Sequence, residues 1–102
     1  MNRYRVRFTP EAKADLLRLF DFLLEKDFSL AERAEAAIRK AVELLGLFPF
    51  TCRKAAGGSG STFLRELITP FGDAGYVALF EIEDPRTVTI LAVRHQREED
   101  YH

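Results

Sequence analysis

Apolar and polar residues alternate from the third residue onward. Tyr4, Val6 and Phe8 interleave with Arg3, Arg5 and Arg7, a period of two that predicts a half-buried strand with an arginine face. Those arginines are either an anion-binding stripe or an exposed face that discourages edge-to-edge pairing. Thr9-Pro10-Glu11 then starts a helix: Thr9 caps, Pro10 suits the first helical position and Glu11 suits the positive end of the dipole. Ala12, Leu16, Leu19 and Leu23 fall on one helical face, widened by Phe20 and Leu24, and the pattern runs to about Lys26. Leu17 and Phe22 broaden the stripe beyond one core contact, as a partner surface or as wrapped core.

Ser29-Leu30-Ala31-Glu32 matches a capping box and predicts the start of a second helix. Ala31, Ala34, Ile38, Ala41, Leu45 and Phe48 recur every three or four residues, and Gly46 and Pro49 end the run. The small alanines permit close approach, so the two helices form an antiparallel hairpin. Glu32, Arg33, Glu35, Arg39, Lys40 and Glu43 form its solvated side. The segment 49–61 reads as a loop. Its Gly57-Gly58-Ser59-Gly60 lacks the Gly-Lys-Ser/Thr and following helix of a phosphate cradle. Three strands follow, at 62–69, 75–83 and 87–94, separated by Pro70 with a glycine-rich turn and by Asp84-Pro85-Arg86. Such short connections make an antiparallel meander. Val88 to Val93 is largely apolar on both faces, Thr89 excepted, so that strand should be central or covered on both sides. The order is strand, helix, helix, strand, strand, strand, an α+β fold with the helical hairpin on one face of the sheet.

At 102 residues the chain reads as a single domain over 1–102, with 47% hydrophobic residues and nine Phe to build a core. Fifteen Lys/Arg nearly balance sixteen Asp/Glu, for a net charge of -1, so no whole-molecule basic field exists to favour nucleic acid. Direct specific nucleic-acid binding is therefore not expected. The lone cysteine, Cys52, excludes an intramolecular disulfide and a cysteine zinc cluster. His95 and His102 lie too far apart along an acidic tail to suggest a metal site. No cofactor is expected. Without a signal-peptide pattern or an apolar run of about 20 residues, the expected location is the cytoplasm, away from membranes.

Chemistry concentrates where the last strand gives way to a polar tail. Arg94, His95 and Arg97 end that strand, Tyr101 follows, and Arg65 lies in the first strand of the meander. His95 is a possible general acid or base, and arginines can stabilise a developing phosphorane. The alternative is that His95 ends the strand by hydrogen bonding while the arginines pair with neighbouring carboxylates. Arg65 and Glu66 point to opposite strand faces, so one of them lies near the core and must be paired there.

Ala12-Lys13-Ala14-Asp15-Leu16, Ala41-Val42-Glu43-Leu44-Leu45 with Pro49, Leu64-Arg65-Glu66-Leu67, Gly75-Tyr76-Val77-Ala78-Leu79-Phe80 and Ile90-Leu91-Ala92-Val93-Arg94-His95-Gln96-Arg97 occur in that order. Together they resemble the ParE branch of the RelE/ParE toxin superfamily of bacterial type II toxin–antitoxin systems, across roughly Tyr4 to Arg97. The resemblance implies one four-stranded sheet covered by two helices. It also implies a small ParD-like antitoxin that wraps the toxin with a helix and an extended segment. ParE-type toxins inhibit DNA gyrase, whereas RelE-type toxins cut messenger RNA on the ribosome with several basic residues and a C-terminal tyrosine. In the RelE branch an arginine commonly follows the Gly-Tyr of the second meander strand. Val77 stands there in this chain, and the cations of the preceding strand are reduced to Arg65.

These departures favour a gyrase-binding toxin without catalytic residues, whose toxic surface comprises Arg65, Arg94, His95, Arg97 and Tyr101. Leu16, Phe20, Leu24 and Phe28 are the expected antitoxin contacts, because a groove on the first helix would accept a partner helix by its apolar face. The alternatives are a metal-independent, ribosome-dependent endoribonuclease using His95, Arg97, Arg65 and Tyr101, and a non-toxic module that only binds its antitoxin.

Overall fold

In the computed structural model, residues 3–55, 62–72 and 74–98 are described. The chain runs β1 (Arg5–Phe8), α1 (Pro10–Lys26), α2 (Phe28–Leu47), a 3-10 turn at Pro49–Thr51, β2 (Arg53–Lys54), β3 (Leu64–Phe71), β4 (Ala74–Asp84) and β5 (Thr87–His95). The sheet order is β1-β5-β4-β3-β2. β1 lies parallel to β5 and the other pairs are antiparallel. The α+β class and the meander match the sequence reading, with β5 in the sheet interior. The sheet has five strands, however, not four. The fifth is β2, two residues within the supposed loop, which pair Arg53 with Glu66 and Lys54 with Arg65. A strand this short carries no hydropathy period. The Gly57–Gly60 stretch lies outside the described residues.

Thr9 caps α1 by accepting the Ala12 N–H at 3.1 Å, as its sequence position implies. α2 begins earlier than the Ser29 capping box would place it. Asp27 is its N-cap, with its carboxylate accepting the Ser29 N–H at 3.0 Å. The same residue closes α1 through its own N–H to the Leu23 carbonyl, so the hairpin turns on one residue. Gly46 does not end α2. It lies buried in the last turn, where its carbonyl accepts the Tyr4 N–H at 2.7 Å and the Tyr4 backbone, just before β1, passes close by. Phe48 leaves the predicted stripe and is exposed. Pro70 lies inside β3, opposite Gly75. β2 pairs only with Arg65 and Glu66, so β3 is an edge strand at Pro70, where proline is tolerated.

The core lies between the helices and one face of the sheet. Ala12, Leu19 and Leu23 of α1 and Ala31, Ala34 and Leu45 of α2 meet Tyr76, Ala78, Phe80 and Ile82 of β4 and Val88, Ile90 and Val93 of β5. α1 packs chiefly on β5, and α2 on β3. Their docking is also polar. β1 pairs with β5 only as far as Phe8 opposite Ile90, and there the chain turns into α1. Beyond that point α1 serves the β5 backbone. The Thr9 hydroxyl donates to the Leu91 carbonyl at 3.1 Å, and the buried Asp15 carboxylate accepts the Val93 N–H at 2.9 Å. Leu91 is the extra residue of a bulge against β4, which turns these groups toward the helix.

Candidate functional site

The last two turns of α1 overhang the end of the sheet and enclose a cleft of about 540 Å3. Leu19 and Leu23 form its inner wall, Tyr76 and Phe71 its sheet side, and Arg18, Phe22 and Lys26 its helical rim. His95, Arg97 and Glu98 close the other side. Each position follows from a local rule. Residues 18, 22 and 26 recur every four residues along one helix flank. Tyr76 and His95 are register partners on β4 and β5, so their side chains share the helix-side face. Their rings meet edge to face with centroids 5.7 Å apart.

The turn after β5 is a compact hydrogen-bonded unit. Glu98 accepts the His95 N–H through its carboxylate at 2.9 Å and returns its own N–H to the His95 carbonyl at 3.0 Å. The Arg94 guanidinium donates to the carbonyl of Glu98 at 2.8 Å and also reaches those of His95 and Gln96. The Arg97 N–H donates to His95 Nδ1 at 3.2 Å, so the proton of the neutral ring resides on Nε2. Burial alone would raise the Glu98 carboxyl, but the His95 N–H and the Arg18 guanidinium outweigh it and hold the group below its ordinary range. Burial pushes the Tyr76 phenol up, so it stays protonated at neutral pH.

Among the sequence-predicted residues, His95 and Arg97 share this cleft and Arg94 braces the turn beneath them. Arg65 does not join them. It faces Phe80 across β4 while His95 faces Tyr76, which separates them by roughly 13 Å along the strands and by two strand spacings. The Arg65 guanidinium is occupied by the carbonyls of Cys52 at 2.6 Å, Thr62 at 2.8 Å and Phe50 at 3.0 Å, and it lies over the Phe50 ring. Of the adjacent opposite charges, the carboxylate is the deeply buried one. Glu66 is 4% exposed on the face away from the helices and pairs with Arg53 at 3.0 Å. Tyr101 lies outside the described residues. A four-residue nuclease set of His95, Arg97, Arg65 and Tyr101 is therefore not assembled among the described residues.

The predicted antitoxin contacts divide in two. Leu16 and Phe20 line a separate groove of about 380 Å3 with Tyr4, Val6, Ile38 and Val42, between β1 and the helical hairpin. Leu24 and Phe28 are exposed on the hairpin, at 46% and 66%.

Against known proteins, residues 6–100 match the family model described as the ParE toxin of the type II toxin–antitoxin system, parDE. The chain belongs to the ParE toxin family. It is also 33% identical over 93 residues to a protein named Toxin RelE3 from Caulobacter vibrioides, covering 91% of this chain and 95% of that protein. As a type II toxin, this ParE-family chain has an antitoxin as its partner. No helix among its described residues is long and apolar enough to cross a membrane.

Sequence reasoning missed Arg18 and Lys26 on the helical side of this ParE-family cleft, and it marked Phe22 only as surplus on the apolar stripe, without a place in the cleft. It also missed Asp15 as a buried tie. A signal for Asp15 exists, since it falls three residues after Ala12 on the apolar stripe, where a carboxylate must find a buried partner. Nothing in the sequence alone indicates that Phe71 and Tyr76 come to face the end of α1.

Proposed function

We propose that the chain inhibits DNA gyrase, and so replication, in the cytoplasm, and that a ParD-like antitoxin neutralises it. It acts by binding its target, with Arg94, His95, Arg97 and Tyr101 as the toxic surface; Arg65, expected there from the sequence, is engaged by three backbone carbonyls elsewhere on the sheet and serves the fold instead. The observation that carries this reading is Val77. A RelE-type nuclease commonly has an arginine after the Gly-Tyr of this strand, whereas here an apolar side chain is 2% exposed between Ile68 and Arg94. The ParE family match supports the same branch. The antitoxin is proposed to cover Leu16 and Phe20 in their groove and the exposed Leu24 and Phe28 on the hairpin.

A second reading, cleavage of messenger RNA on the ribosome, is favoured by His95 and Arg97 sharing one cleft and by the RelE name of the relative. Pulse-labelling after induction in cells lacking the antitoxin separates the two. DNA synthesis that stops before protein synthesis supports gyrase inhibition. Protein synthesis that stops first, with fragmented messages that His95→Ala leaves whole, supports the nuclease. Unchanged synthesis and growth indicate a non-toxic antitoxin-binding module.

A further inference from the structure

The cleft beneath the end of α1 has a composition that defines its ligand. Arg18, Lys26, Arg97 and His95 surround it, and Glu98 is the one carboxylate among its described lining residues. Glu98 is already engaged by Arg18 at 3.4 Å and by the His95 N–H. The acids of α1 in the same two turns, Asp21 and Glu25, are exposed and do not line it. Its interior is apolar and aromatic, from Leu19, Leu23, Phe71 and Tyr76. Phe22 is 58% exposed, with the Lys26 ammonium 4.8 Å from its ring centroid. Its volume of about 540 Å3 falls within the range that holds a compact ligand or side-chain anchor.

We infer that this cleft binds an acidic segment of a protein partner, with an aromatic or large aliphatic side chain inserted between two carboxylates. The spacing sets the pattern. Arg18 and Lys26 are eight residues apart on α1, about 12 Å along the helix axis. Carboxylates at positions i and i+4 of an extended segment lie about 13 Å apart and meet both cations, with the residue between them over the cleft. Arg18 can exchange its long, solvent-exposed contact with Glu98 for an incoming carboxylate, and the exposed Arg97 faces the segment from the opposite rim. A protein segment is favoured over RNA because the net charge of -1 provides no whole-molecule basic field to draw a phosphate backbone to the cleft. The inference holds whichever target the toxin has.

The test is an amide NMR titration of the full chain with acetylated Asp-Ala-Phe-Ala-Asp. Saturable shifts confined to residues 18–26, 71, 75–76 and 95–98 are expected. Affinity should fall roughly two- to five-fold for each Asp replaced by Asn, and at least roughly ten-fold when Phe is replaced by Ala. Lys26→Glu should weaken the acidic peptide and strengthen the peptide that carries Lys in place of one Asp. Phe22→Ala, at an exposed position, should weaken both. Equal binding of the neutral peptide, shifts outside these segments, no saturation at millimolar peptide, or tighter binding of a uridine trinucleotide would each overturn the inference.

Discussion

The carboxylate of Asp15 accepts the backbone N–H of Val93 at 2.9 Å, joining the second turn of the first helix to the strand that carries His95. Asp15 is 5% exposed and Val93 is 4% exposed, so water cannot readily replace this bond. It supports the strand immediately before the functional turn. The position of the cleft therefore depends on a contact between residues 78 apart in the chain.

Asp15→Ala removes the acceptor and leaves a buried N–H unsatisfied, a loss of about 1–3 kcal/mol. Asp15→Asn retains an acceptor oxygen and should lose less than Asp15→Ala. Urea unfolding measures both, and a loss under 0.5 kcal/mol for Asp15→Ala would refute the role, that being roughly the scatter of ordinary surface substitutions.

Arg65 holds three carbonyls of the segment that leads into β2 and β3. Arg65→Ala should destabilise the fold by on the order of 2 kcal/mol. Arg65→Lys should recover only part, because one ammonium cannot reproduce the planar fork. Limited proteolysis near Cys52 should accelerate in both variants. Wild-type protection in Arg65→Ala would show that the arginine is not structural.

Much of this architecture is legible in the sequence. Thr9-Pro10 places the start of α1 because the cap and the fixed proline φ act locally, and the end near Lys26 follows from the stripe. The start of α2 is not legible in the same way. Asp27 and Ser29 are both competent caps, and the choice falls to the residue that also terminates α1. β2 exists only through its pairing with β3, so neither period nor propensity announces it. His95 and Arg97 are visible as candidates at the end of an apolar strand. Their helical neighbours Arg18 and Lys26 are not, and Phe22 shows only as surplus on the α1 stripe, because the packing angle of α1 on the sheet decides which flank overhangs the strand ends. The role of Arg65 depends on where the 3-10 turn at Pro49–Thr51 directs its carbonyls.

Glu98 carries a pH signature. Its folded-state carboxyl titrates below the ordinary 4.5. The stability it contributes is present above that value and is lost as pH falls through the lower folded-state value. Wild type should exceed Glu98→Gln in stability at neutral pH, and the difference should shrink below pH 4.5. Thermal unfolding of both proteins between pH 3 and 7 checks this. A difference that grows on acidification would reverse the sign and refute it.

Gly75 faces Pro70 across the hairpin, and a Cβ there would press into the Thr69 carbonyl oxygen and the Pro70 backbone. Rigid backbone cannot yield as a flexible side chain does. Gly75→Ala should therefore cost about 1–3 kcal/mol and shift the amide of Gln96, which donates to the Gly75 carbonyl at 2.8 Å. Wild-type stability with an unmoved Gln96 amide would contradict the close approach.

The proposed toxic activity is tested most directly by supercoiling of relaxed plasmid with purified gyrase and increasing amounts of this chain. Dose-dependent loss of supercoiling, reversed by stoichiometric antitoxin, is the predicted result. Undiminished supercoiling at saturating toxin, from protein that still binds its antitoxin, would contradict it.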